Sequence, residues 1–403
     1  MKFSKLSQLF LVSSIGLLVA TLLTACQIVT IDYVFLASSA GSGANSAGQI
    51  NIFATDSESG ALRLGAPTVS SGGTTPVALA VTSDYANLYV ANQGSKNVAH
   101  FAIAANGVLT AKETITLSTA PVSLAVNSAN TALYVVSGTT SATLTSYALS
   151  SGVIGAASAP IALSIPGYAG DTVVPTGVNV LANGNAVFVT VYDQSAYNPG
   201  GTTTSAANPG WVFGYAVGSG GALTPASGSP WKAGVKPSAI TSDPTNRFVY
   251  VTDFASNQLI GYSIQASSTL SFLINGPFRT GNEPSAIVID PRGKYIYVSN
   301  QLDSSVSAYV IDLSTGTPSA AVNTTGSASN STGTQPVALV VDPALGRFIY
   351  TANYLDNSVS GFRLDPNTGT LSLTQSTPYP AGARPSAIAA VPHGNHSLQS
   401  VTP

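Results

Sequence analysis

The chain has 403 residues, of which 44% are hydrophobic and only 7% charged, whereas an ordinary soluble domain carries about a quarter charged residues. Its 14 Lys and Arg against 16 Asp and Glu give a net charge of −2, which excludes the clustered basic surface needed for nucleic acid or for a polybasic membrane patch. The surface must be built from neutral polar groups, and beyond the N-terminus no apolar run approaches the ~18 residues of a spanning helix. Length alone implies two or three domains of roughly 150 residues each, unless internal repeats break that expectation.

The first segment stands apart from the fold. Lys2 and Lys5 form a short positive region, and Leu9 to Leu23 form an apolar stretch. Together they read as a secretory signal over residues 1–25. Leu23-Thr24-Ala25-Cys26 resembles the lipobox of bacterial lipoproteins. That resemblance implies acylation of the Cys26 thiol, a lipid anchor in the membrane, and a short linker over 26–31. Cys26 is the sole cysteine, so no internal disulfide can form. Gln27 follows it in place of Asp, which by the same resemblance favours the outer membrane of the cell envelope.

Residues 32–391 carry one pattern seven times. An alternating strand ends in a polar residue at LYVAN (88–92), LYVVS (133–137), VFVTV (187–191), VYVTD (249–253), IYVSN (296–300) and IYTAN (349–353), with a fainter VFLAS (34–38) in front. Period-two alternation rich in Val, Tyr and Ile predicts half-buried strands. A second strand follows each time with one aromatic residue, Phe53, Phe101, Tyr147, Tyr215, Tyr262, Tyr309 or Phe362. Tight turns such as DPNTGTL (365–371) come next, supplying the positive φ that hairpins need.

Another strand of each repeat starts at a proline: Pro76, Pro121, Pro175, Pro237, Pro284, Pro336 and Pro385. Proline suits that place because its missing N–H is not yet needed in the ladder. The proline-led strand is absent from the first repeat and stands alone at 385–391. It must therefore supply the inner strand of the N-terminal blade, closing a ring without open edges. The predicted fold is all-β, a seven-bladed β-propeller of four-stranded antiparallel blades, followed by a C-terminal tail over 392–403.

In YVTD (250–253), YVSN (297–300), YVAN (89–92) and DPRGKYIYVSN (290–300), the repeat resembles the YVTN type. That type belongs to the lactonase-like propeller superfamily, which includes 6-phosphogluconolactonase. The resemblance implies a Gly-Pro-Arg-His-type start on an inner strand and an Asn-Glu pair after the Tyr-Val strand. Here the starts read Glu283-Pro284-Ser285-Ala286 and Lys236-Pro237-Ser238-Ala239, and the pair reads Asn300-Gln301. The cation and base that a lactonase needs are missing from those positions.

Other chemistry is sparse. His100 is expected to be a partly exposed strand residue, and His393 and His396 a frayed end. No spacing points to a metal and no glycine pattern to a cofactor, so none is expected. The Asp-Pro pairs at 243–244, 290–291 and 342–343 read as turns. The residues preceding the prolines, Thr75, Ala120, Val174, Lys236, Glu283, Gln335 and Arg384, should ring the channel mouth. Asp253, Asn300 and Asn353 should point to the same face. An insertion over 194–209 should emerge there too, bringing Tyr192, Tyr197 and Trp211 as stacking surfaces.

These features lead to an expectation of a monomeric, lipid-anchored, non-catalytic binding or scaffold protein with a glycan or protein partner at the mouth. The alternative is a lactonase-like hydrolase of carbohydrate lactones.

Overall fold

The computed structural model describes residues 29–41, 46–165, 172–195 and 210–394. Seven antiparallel sheets are arranged as blades around an axis, in the predicted order. Blade I consists of Thr30–Ser39, Ala47–Asp56 and Leu62–Thr74, with Ala383–Pro392 as its inner strand. Blades II to VII start at their inner strands: Pro76–Val81, Pro121–Val126, Val173–Val180, Pro237–Ser242, Pro284–Ile289 and Pro336–Val341. In blades III to VII the outer edge is split in two short pieces, both pairing with the third strand. No helix among the described residues is long and apolar enough to cross a membrane.

The ring closes as counted from the repeats. Val34 lies opposite Ala390 and Leu36 opposite Ile388 in the antiparallel ladder between the first and last strands. That last strand also packs on the inner strands of blades II and VII. The boundaries differ slightly from the expected ones. The first strand starts at Thr30, inside the expected linker, and the last runs to Pro392. His393 is not frayed: its N–H donates to the Ile31 carbonyl and its ring lies 5.5 Å from that of Tyr33. His396 and Cys26 lie outside the described residues.

Each seam between neighbouring blades holds one apolar cluster, built from the alternating strands facing each other. The tyrosine of the Tyr-Val motif is the recurring member, fully buried at Tyr89, Tyr134, Tyr250, Tyr297 and Tyr350. Burying such a ring stabilises by about 1.5–3 kcal/mol, but its hydroxyl then needs a partner. Four of the five find it in the hairpin of the next blade. Tyr89 donates to the Gly152 carbonyl (2.5 Å), Tyr250 to Gly316 (2.6 Å), Tyr297 to Gly369 (2.9 Å) and Tyr350 to Gly60 (2.8 Å). The motif is thus a bolt between blades.

The proline starts bring a second bolt. In blades II to VII the register slips by one residue just past the inner-strand proline, as between Pro237 and Ala239 or Pro284 and Ala286, and blade I has a wider irregularity around Pro385. A bulge of this kind turns the extra side chain out of the ladder. In three blades that extra residue is serine. Ser238 donates to the Pro284 carbonyl, Ser285 to Pro336 and Ser386 to Pro76, each at 2.6 Å and each on the next blade. Ser285, at the position where the family resemblance implies arginine, therefore ties the ring together.

Candidate functional site at the channel mouth

Inner strands start, and second strands end, on one face of the ring, because Pro237 pairs with Asp253 and Pro284 with Asn300. The seven residues preceding the prolines are all half-buried there. Thr75, Glu283, Gln335 and Arg384 have left-handed backbone with φ of 52°, 54°, 57° and 52°, which non-glycine residues adopt only when their surroundings impose it. Asparagine side chains supply part of that constraint. The Asn257 Oδ1 accepts the Glu283 N–H at 2.8 Å, and Asn357 Oδ1 accepts that of Arg384 at 2.8 Å. Glu283 and Arg384 are thus presented on fixed backbone.

Lys236 is held by Asp253, whose carboxyl oxygens accept the N–H groups of Val235 and Lys236, both at 2.9 Å. Its ammonium lies 4.5 Å from the centre of the Phe254 ring and 5.7 Å from that of Tyr192, a cation–π setting on two sides. Burial holds the Lys236 amine below the usual lysine range, and Glu283 on the next blade pulls it partly back. The mouth thus carries a partly desolvated cation, two aromatic faces and a carboxylate within electrostatic reach.

Several expectations need correction. Asp253, Asn300 and Asn353 are fully buried rather than displayed at the mouth. Asn300 donates to Ser305 and Ser307, and Asn353 to Ser358 and Ser360, so both serve the turn behind the face. Tyr192 is 8% exposed and meets Lys236 rather than solvent. Trp211 is half-buried, on the strand paired with that of Tyr192. Tyr197 lies outside the described residues. His100 is 3% exposed, not partly exposed, and bridges Glu113 (3.0 Å) and Asn87 (2.8 Å) within blade II. The Asp-Pro pairs are turns as read, with Asp290 accepting the N–H groups of Lys294 and Tyr295. Phe254, Asn257 and Asn357 went unread in the sequence, although each stands one to four residues past a recognised strand end.

Comparison with known proteins adds a family likeness. The model of the lactonase family described as "Lactonase, 7-bladed beta-propeller" matches residues 28–115 and 221–331. No curated protein matches the sequence. Among solved structures, the periplasmic gluconolactonase of Pseudomonas aeruginosa is similar at TM-score 0.73 and 16% identity, over 90% of this chain and 99% of that one. A Bacteroides uniformis protein described provisionally as a 6-phosphogluconolactonase gives 0.71 at 18%, over 91% and 100%. Hydrazine synthase of Kuenenia stuttgartiensis gives 0.56 at 16%, over 81% and 94%, so the fold alone does not choose a chemistry. The family match does bear on it, and it overturns the expectation of a non-catalytic binding or scaffold protein. That expectation rested on the arginine and histidine missing from the strand starts. By fold this chain is a seven-bladed β-propeller, and by family match and structural likeness it is similar to the lactonase-like propellers.

Proposed function

We propose that the protein hydrolyses sugar lactones at the channel mouth, with Glu283 and Lys236 as its working groups. The observation that carries this reading is the half-buried Lys236 ammonium, held between Phe254 and Tyr192 and electrostatically coupled to Glu283, in a chain matched by a lactonase family model.

In this reading the apolar face of a lactone ring stacks against the aromatic pair. Glu283 takes a proton from a water molecule, and the hydroxide formed attacks the lactone carbonyl carbon. The negative charge that develops on the carbonyl oxygen is stabilised by Lys236, whose field is less screened here than in bulk water. Collapse breaks the bond from the carbonyl carbon to the ring oxygen, which leaves with the proton that Glu283 had taken. The product is the open hydroxy acid, which releases one proton to solvent at neutral pH.

The lipobox-like segment ending at Cys26 supports an envelope location. The similar Pseudomonas enzyme is also described as periplasmic, and a lactone reaching this compartment would be a free sugar lactone. Titration of the acid released from D-gluconolactone tests the proposal. The purified protein should accelerate hydrolysis well above buffer, and Glu283→Gln should cost about 10²-fold or more. Hydrolysis no faster than buffer across D-gluconolactone and related aldonolactones would overturn it.

A further inference from the structure

Where the outer edge of a blade splits, the third strand turns one backbone N–H toward the gap, on the residue opposite the tyrosine position of the Tyr-Val strand. Four of the five split blades give that N–H an acceptor. Ser146 donates to the Ser158 Oγ (3.1 Å), Gly214 to the Ser229 Oγ (2.9 Å), Ala308 to the Ala328 carbonyl (3.0 Å) and Gly361 to the Thr377 Oγ1 (2.8 Å). Blade V departs from this rule. The equivalent residue is Gly261, opposite Tyr250. Gly276 stands before Pro277 there, where Ser229 stands before Pro230 and Thr377 before Pro378, and it has no hydroxyl to offer. The Gly261 carbonyl accepts the Leu273 N–H at 2.9 Å, but its own N–H has no acceptor among the described residues, although Gly261 is buried. Buried N–H groups without a partner are rare in native proteins.

A cleft of about 290 Å³ opens at this gap, and both Gly261 and Gly276 line it. The rest of its lining says what chemistry fits. Lys232 is the single charged residue there; it is exposed and makes no ion pair among the described residues. Ile260, Phe272 and Leu273 make the apolar part, and Phe272 is 58% exposed, an aromatic face open to a stacking partner. An unpaired N–H beside an ammonium calls for an anionic acceptor, and the apolar part calls for an apolar body. The volume is at the lower end of small-molecule sites, about 300 Å³, which limits that body to one ring or a short branched chain.

We infer that this cleft is a binding site for a small monocarboxylate with an aromatic or branched apolar body. One carboxylate oxygen accepts the Gly261 N–H, in the place that the Ser229 and Thr377 hydroxyls take in blades IV and VII. Lys232 balances the charge, and the apolar body lies against Phe272 and Leu273. Neither Lys236 nor Glu283 lines the cleft, so the inference does not rest on the lactonase reading.

The Gly261 amide proton, followed by NMR while the whole protein is titrated with sodium benzoate, sodium phenylacetate or uncharged benzamide at constant ionic strength, tests the inference. At least one carboxylate should move it downfield and saturably, with a Kd of about 1 mM, and benzamide should bind about tenfold more weakly or not at all. Gly276→Ser supplies the hydroxyl found in blade IV, and its Cβ comes no closer than 3.3 Å to its nearest neighbour, the Phe278 ring. That variant should shift the Gly261 amide without ligand and abolish the response to carboxylate. Lys232→Met, at an exposed position, provides a test that does not depend on Gly276→Ser folding, and should weaken carboxylate binding about tenfold. No saturable shift with either carboxylate, as expected of an N–H that is merely hydrated, would overturn the inference. Equal binding of benzamide, a response that survives Gly276→Ser, or unchanged affinity in Lys232→Met would overturn it as well.

Discussion

At the residue scale, stability turns on where single polar atoms find partners. Tyr250 and Tyr134 occupy the same repeat position and are equally buried, yet only Tyr250 reaches a carbonyl of the next blade. Tyr250→Phe should therefore cost about 1 kcal/mol in denaturant unfolding, while Tyr134→Phe should cost nothing or stabilise slightly. Equal losses would show that the hydroxyl contact is not what distinguishes them. Asp32 is the opposite case, a carboxyl fully buried at the seam between blades I and VII. Burial, and then neighbouring Asp342, push it well above the usual carboxylate range. The folded chain thus keeps a proton that the unfolded chain releases near pH 4. The stability this gives is complete below that pH and is lost as pH rises toward the folded-state pKa. Asp32→Asn should remove that slope and gain on the order of 1 kcal/mol at neutral pH, as read from urea unfolding at acid and neutral pH. An unchanged slope would contradict the assignment. Asp32 was not legible in the sequence, because nothing local shows that the last and first blades bring it against Asp342.

At the scale of elements, the strands and their order could be read directly. Alternation of Val, Tyr and Ile marks each second strand, and proline marks each inner one. The bulge after each proline could not be read, because it is a register slip set by the neighbouring strand rather than by the residue itself. For the same reason Ser285 reads in sequence as a lost arginine, while in the structure it reaches the Pro336 carbonyl. Asp253 read as a mouth residue and is instead the clamp on the Lys236 backbone. The polar residues that end the second strands, such as Asn92, Asp253, Asn300 and Asn353, are buried, and one-dimensional spacing does not say so. The closing strand gives the element-scale prediction. Deleting 384–403 removes the ladder partner of Thr30–Ser39 over most of its length and should abolish cooperative unfolding or cause aggregation. Deleting 395–403 should change stability by no more than about 0.5 kcal/mol. Equal behaviour of the two truncations in thermal unfolding would contradict closure by that strand.

At the scale of the whole molecule, seven nearly equivalent blades make a rigid ring, and function depends on where the repeat departs from itself. Charge collects at the mouth on the adjacent blades V and VI, where Lys236 and Glu283 precede successive inner strands. The sequence placed these two residues on one face, because their proline starts are aligned. It put Tyr192 on that face too, but not Phe254, nor the meeting of the two rings around the Lys236 ammonium, since they come from different blades and meet only when the ring forms. In the proposed reaction this charged, partly desolvated pair does the chemistry. Steady-state kinetics of Lys236→Met on D-gluconolactone test it most directly. If Lys236 stabilises charge that develops only in the transition state, kcat should fall about 10²-fold while KM changes much less. A variant that keeps the wild-type kcat would show that Lys236 takes no part in the chemistry.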